Sequence, residues 1–119
     1  MPYVDGYVLP VTKKSLPAYV RMARKAGKVW REHGALEFRE CVGDDLNIKM
    51  GVPFPRTFKV TPAETVMFSY IVFRSRAHRD RVNAKVIQDP RMAKMCDPKN
   101  KPFDVTRMVY GGFRTLVDA

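Results

Sequence analysis

The chain has 119 residues, 45% of them hydrophobic and 29% charged, with 22 Lys and Arg against 12 Asp and Glu for a net charge of +10. That length holds one ordinary domain with its own core and excludes two independent ones, and the composition excludes a disordered chain. The longest nearly apolar run, Val66 to Phe73, is far shorter than the roughly 20 residues of a membrane-crossing helix, so residues 1–119 read as a single domain with no membrane partner.

Tyr3 to Val11 reads as a first strand, in which Tyr3, Asp5, Tyr7 and Leu9 alternate with Val4, Gly6 and Val8. Pro10 is expected to end or fray it. Asp5 also stands where a secretory signal would carry positive charge, and no long apolar stretch follows, so the expected location is cytoplasmic. Ser15 is placed to cap a helix whose first turn tolerates Pro17. Leu16, Tyr19, Val20, Ala23, Ala26, Gly27 and Trp30 follow at three-and-four spacing as the buried stripe, while Arg21, Arg24, Lys25, Lys28 and Arg31 point elsewhere. Gly34 suits a left-handed stop.

Ala35 to Val42 reads as a second strand. Gly43 to Glu64, broken by Gly43, Gly51, Pro53, Pro55 and Pro62, is a long irregular connection of the kind that forms a flap or an assembly arm, or hides a strand. Thr65 to Arg74 is a third strand with Val66, Phe68, Tyr70 and Val72 on one face and Met67, Ile71 and Phe73 on the other. Ser75 caps a second helix reaching about Gln88, with Val82, Val86 and Ile87 on its buried side. Asp89 and Pro90 suit the cap and first residue of a short helical turn, Arg91 to Met95. Past a loop with Pro98 and Pro102, Thr106 to Val117 reads as the last strand.

Strand, helix, strand, strand, helix, strand is the βαββαβ order of the ferredoxin-like fold, an α+β sandwich of the split βαβ type. Its helices cover one face of the sheet. The second apolar set of the third strand, together with Tyr3 and Tyr7, then needs another cover, and a second copy of the chain is the simplest one. A homodimer is expected.

Two strands carry glycines where side chains should pack: Gly6 in "YVDGYV" and Gly111 and Gly112 in "MVYGGF". In this fold the first and last strands pair, which brings the glycines together over a shallow trough that a helix side chain such as Trp30, a partner or a ligand would fill. Tyr7, Asn83, Arg107, Tyr110, Gly111 and Gly112 are its candidate ligand-binding residues, and the arginines and tyrosines favour a small anionic or aromatic compound.

Three groups are candidates for proton transfer. Asp5 lies beside the trough, and Glu40 shares a strand face with Leu36 and Phe38, where desolvation would raise its pKa. Arg39, Arg107 or Arg114 could instead neutralise Glu40 in a structural ion pair. His78, in "SRAHRD", titrates near neutral pH and reads either as an acid–base group or as a solvated helix residue. Cys41, Cys96, His33 and His78 show no metal-ligand spacing, the two cysteines read as free thiols, and no phosphate loop or other cofactor motif occurs, so neither metal nor cofactor is expected.

Seven basic and no acidic residues lie between Lys13 and Arg31, and nine basic residues between Arg74 and Lys101. Such clustering either keeps the surface solvated or draws in polyanions, so nucleic-acid binding by the basic helix faces is the alternative function. Steep weakening of binding with salt would distinguish it.

The blocks "YVDGYV", "SYIVFRSRAHRDRVNAKV", "DPRM" and "PFDVTRMVYGGF" make the chain resemble the YbaA-like family, bacterial domains of unknown function. Motif positions are matched by Asp5 and Gly6; Arg79, Asp80 and Asn83; Asp89, Pro90 and Arg91; Phe103, Asp104 and Arg107; and Tyr110, Gly111 and Gly112. Val105 and Thr106 depart from the family pattern. The resemblance implies the dimeric α/β-barrel superfamily, home to cofactor-free monooxygenases, dechlorinating or isomerising enzymes and plain ligand binders.

Overall fold

A computed structural model describes residues 1–95 and 101–119; the expectations for Cys96 and Pro98 fall outside them. The chain runs β1 (Tyr3–Thr12), α1 (Leu16–Glu32), β2 (Glu37–Val42), α2 (Phe54–Thr57), β3 (Glu64–Phe73), α3 (Arg76–Gln88), α4 (Pro90–Met95) and β4 (Val109–Arg114). The strands form one antiparallel sheet in the order β2-β3-β1-β4. With helices following β1 and β3, this is the split βαβ of the ferredoxin-like α+β fold.

Local chemistry departs from the sequence reading at several ends. β1 does not stop at Pro10 but continues to Thr12, paired with β3. Pro10 lies beyond Val8, the last residue that β4 pairs, so only one neighbouring strand flanks it. Ser15 does not cap α1 through its side chain; a 3-10 turn over Lys13–Ser15 comes first, and the Thr12 hydroxyl accepts from the Ser15 N–H at 3.2 Å. Gly34 ends α1 with φ +117°, a conformation that a side chain would strain. Ala35 still donates to the Trp30 carbonyl, so β2 starts two residues later than expected, at Glu37. β4 is shorter at both ends. Asp104 caps a 3-10 turn over Val105–Arg107, and the ladder ends with Arg114 opposite Tyr3, followed by one further bond from the Thr115 N–H to the Pro2 carbonyl at 3.1 Å.

The Ser75 hydroxyl caps α3 by accepting from the His78 N–H at 3.1 Å. His78, Val82 and Val86 form the buried stripe of this helix, whereas Ile87 is 79% exposed and not part of it. Asp89 accepts from His33 and from Arg91, whose guanidinium also reaches Glu32, so the end of α1 is tied to the start of α4.

Register decides which side of the sheet each residue serves. Tyr3, Asp5, Tyr7 and Leu9 share a face with Ser69, Ile71 and Phe73, and this is the face the helices cover. Tyr3 and Tyr7 therefore pack toward the helices and not, as expected, on the uncovered side. Two clusters make the core: Val29, Ile71, Phe73, Val82 and Val86 at one end, and Leu9, Val11, Tyr19, Ala23 and Met67 at the other. Each such large side chain contributes about 1.5–3 kcal/mol by leaving water. The opposite face carries Val8, Phe68, Tyr70, Val72, Val109 and Phe113. Of these, Phe68 is 46%, Val109 57% and Phe113 62% exposed, a continuous apolar surface across three strands.

Candidate functional site

Between the helix-covered face and α1, α4 and the segment before β4 lies a cavity of about 280 Å³. Its wall is mostly apolar, with Trp30, Phe38, Ile71, Met92, Met95 and Phe103 among its residues. Such walls favour burial of an apolar body, and the volume falls just below the about 300–1,000 Å³ typical of small-molecule sites, room for a small ligand. Glu40 and Lys101 are the charged residues that reach it, and Tyr7, Tyr19 and Ser69 add hydroxyl groups.

Glu40 enters from β2, directly across the ladder from Ser69 on β3. The Tyr19 hydroxyl on α1 donates to Glu40 Oε2 at 2.9 Å. Burial pushes the Glu40 carboxyl above the ordinary range, and hydrogen bonding from Tyr19 and Ser69 pulls it part of the way back. Of the expected arginine counter-ions none pairs with it: Arg39 bonds Glu37, and Arg107 bonds Glu64. A partly desolvated carboxyl facing an apolar space is equipped to accept or return a proton.

Asp5 belongs to a different cluster. It has no exposed surface, and it does not line the cavity. Arg79 Nη1 donates to Asp5 Oδ1 at 3.2 Å, while the Tyr110 hydroxyl at 3.2 Å and Asn83 Nδ2 at 3.4 Å donate to Oδ2. Burial raises the Asp5 pKa, with the Arg79 charge and the Asn83 and Tyr110 hydrogen bonds opposing it. Asn83 Oδ1 accepts from Trp30 Nε1 at 3.0 Å, so a hydrogen-bonded chain links Asp5 to the cavity wall. Tyr110 stacks on its cross-strand partner Tyr7 with ring centroids 4.6 Å apart, and Tyr7 lines the cavity. Asp5, Asn83, Tyr7 and Tyr110 thus form one hydrogen-bonded and stacked group that supports the cavity from behind, and only Tyr7 of the four lines it.

The paired glycines answer to two different faces. Gly6 pairs with Gly111 on the uncovered side, where the Phe113 ring lies over them: an added Cβ would meet it at 3.4 Å and 3.7 Å respectively. Gly112 faces the helices, and the Tyr3 phenol fills its place. Neither Trp30 nor an open trough occupies the gap.

His78 and Arg107 stand apart from both clusters. His78 is buried against Phe73, and its Nδ1 accepts from the Arg74 N–H at 3.0 Å, so it is a packed residue of the helix's inner face and not an exposed one. Arg107 Nη1 donates to Glu64 Oε2 at 2.6 Å and Nη2 to the Phe58 carbonyl at 2.9 Å, clamping the chain after α2 to the segment before β4. Sequence reasoning missed Arg79 as a site residue. It binds Asp5 and Tyr110, its Nη2 donates to the Tyr3 hydroxyl at 3.3 Å, and its Nε lies 2.9 Å from Asp80 but out of line for a hydrogen bond. Its place among the matched motif positions, together with its spacing of four from Asn83 beside the Val82 and Val86 stripe, was the available signal. Among the described residues no three His, Cys, Asp or Glu side chains group as a metal site, and no helix is long and apolar enough to cross a membrane.

A four-stranded antiparallel sheet of split βαβ order, with one apolar face left uncovered and a cavity under its helices, defines an α+β protein of ferredoxin-like fold. The chain belongs to the family described as "Protein of unknown function (DUF1428)", which matches residues 2–105. It is 39% identical over 118 residues to the uncharacterized protein YbaA of Escherichia coli K12, covering 99% of both chains, and equally to that of Shigella flexneri. In fold it is similar to an uncharacterized NIPSNAP domain protein from Burkholderia xenovorans, with a TM-score of 0.59 at 11% identity over 95% of this chain and 93% of that one. A NIPSNAP family protein of unknown function from Agrobacterium tumefaciens aligns with a TM-score of 0.58 at 13% identity, over 94% and 86% of the two chains.

Proposed function

We propose that the protein is a homodimeric small-molecule-binding protein, or a cofactor-independent enzyme, whose ligand occupies the cavity between sheet and helices. The observation that carries this reading is the pairing of an apolar space of about 280 Å³ with a single carboxyl, Glu40, held at its wall by Tyr19. Apolar walls supply affinity, and one oriented polar group supplies selectivity. Where the ligand carries an acidic C–H or a hydroxyl, Glu40 is the residue that would take or return its proton. Asp5, Arg79, Asn83 and Tyr110 hold the Trp30 and Tyr7 walls in place. The second copy belongs on the bare sheet face, where Phe68, Val109 and Phe113 would leave water.

Thermal melts across a panel of monocyclic aromatic and short aliphatic compounds test the reading. Binding to the folded state alone raises Tm with ligand concentration. At least one compound is expected to do so in the wild type and to lose the effect in Glu40→Leu or Ala26→Leu. A panel without a single concentration-dependent shift overturns the proposal.

A further inference from the structure

We infer that the ligand is an amphipathic anion, a small carboxylate with an apolar tail or ring, and that it enters through the groove between α1 and β2. The inference rests on the cavity being the ligand site.

Outside the cavity, between α1 and the edge strand β2, lies a more open hollow of about 450 Å³. Tyr19, Ala23, Phe38 and Glu40 line both spaces. These four residues are therefore the partition between them, closed by the 2.9 Å hydrogen bond from Tyr19 to Glu40 and by the Phe38 ring. The ring lies against Gly27, where a Cβ would come within 2.7 Å of it, so it keeps its place because position 27 has no side chain. Breaking one hydrogen bond and turning one ring joins groove to cavity.

The groove differs from the cavity in charge. Arg24, Lys28 and Arg31 line it, spaced along one face of α1. Arg31 is engaged with the Ala35 carbonyl at 3.0 Å. Among the described residues, Arg24 and Lys28 are in no ion pair. Cations at the mouth and apolar walls within complement a molecule with an anionic head and an apolar body. Glu40 opposes an anion, but it is one carboxyl, already bonded by Tyr19, against three cations, and it meets the body of such a ligand instead of its head.

Trp30 is the single tryptophan of the chain and lines the cavity, so its fluorescence reports occupancy. Octanoate and 1-octanol share a tail and differ in head group. Titrated into the wild type at low salt, both are expected to change Trp30 emission saturably. In the Arg24→Gln, Lys28→Gln variant, octanoate should bind roughly threefold to tenfold more weakly, as expected for two exposed ion contacts, with octanol unchanged. Raising the salt should weaken octanoate alone. Tyr19→Phe should speed association of both probes in stopped flow. An equal response of both probes to the double substitution, or association rates unaltered by Tyr19→Phe, overturns the inference and leaves the cavity as a binding site. Failure of both probes to alter Trp30 overturns the cavity reading with it.

Discussion

The Tyr3 phenol stands where a side chain at Gly112 would have to go, and from there its hydroxyl accepts from Arg79 Nη2 at 3.3 Å. The Arg79 guanidinium carbon lies 5.0 Å from the centre of the same ring. Gly112→Ala is therefore expected to displace Tyr3 and to destabilise the fold by roughly 1–3 kcal/mol, read as a lower urea midpoint. In a Tyr3→Val background the same substitution should cost little, and an additive pair of substitutions would show that the two residues do not meet.

Asp5 is buried with Arg79, whose side chain is only 15% exposed. Burial disfavours the charge on Asp5, but removing it strands the guanidinium and weakens the Asn83 and Tyr110 contacts together. The second effect is expected to win, so Asp5→Asn should lower stability by about 1–3 kcal/mol. Trp30 emission should shift as well, because Asn83 bonds both residues. A variant as stable as the wild type would contradict the supporting role.

Burial, then the neighbouring charges of Arg74, Arg81 and Lys85, hold the His78 imidazole below its ordinary pKa of 6.5. The fold thus binds this proton less readily than the unfolded chain does. The stability gained is complete above that ordinary value and is lost as pH falls through the lower, folded one. Urea midpoints measured from pH 7 to pH 5 should fall more steeply for the wild type than for His78→Gln. Parallel profiles would remove His78 as the source.

On the bare sheet face, a charge at position 68 should prevent pairing of two copies. Light scattering is expected to give the wild type twice the 13.7 kDa chain mass and Phe68→Asp the single value. A wild type that scatters as one chain at micromolar concentration contradicts the dimer.

Much of the fold was legible because its signals are local. The Ser75 cap, the positive φ of Gly34 and the Tyr19, Ala23, Ala26 and Gly27 part of the α1 stripe depend on neighbours in sequence, and the pairing of Gly6 with Gly111 follows from the strand order. The stripe itself is rotated from the expected one: Val20 is 38% exposed, and Val29, outside the expected set, is buried. Alternation in β1 separated Tyr3, Asp5 and Tyr7 from Val4, Gly6 and Val8, yet it cannot say which set the helices cover. Sequence alternation alone therefore puts Tyr3 and Tyr7 on the wrong side. Arg79 and His78 were obscured because α3 turns charged and polar groups inward, where their partners Asp5, Tyr3 and Phe73 come from distant strands. The cavity itself is assembled from β1, β2, β3, α1, α4 and the segment before β4, so only Glu40 and Tyr7 among its polar groups could be picked out beforehand.

Whether the space beneath the helices holds a ligand is tested most directly by filling it. Ala26 lines the cavity, and leucine there would occupy the volume with no change in charge. Titration of 1-octanol followed by Trp30 fluorescence should saturate in the wild type and fail in a folded Ala26→Leu protein; identical titration curves for the two would contradict the account.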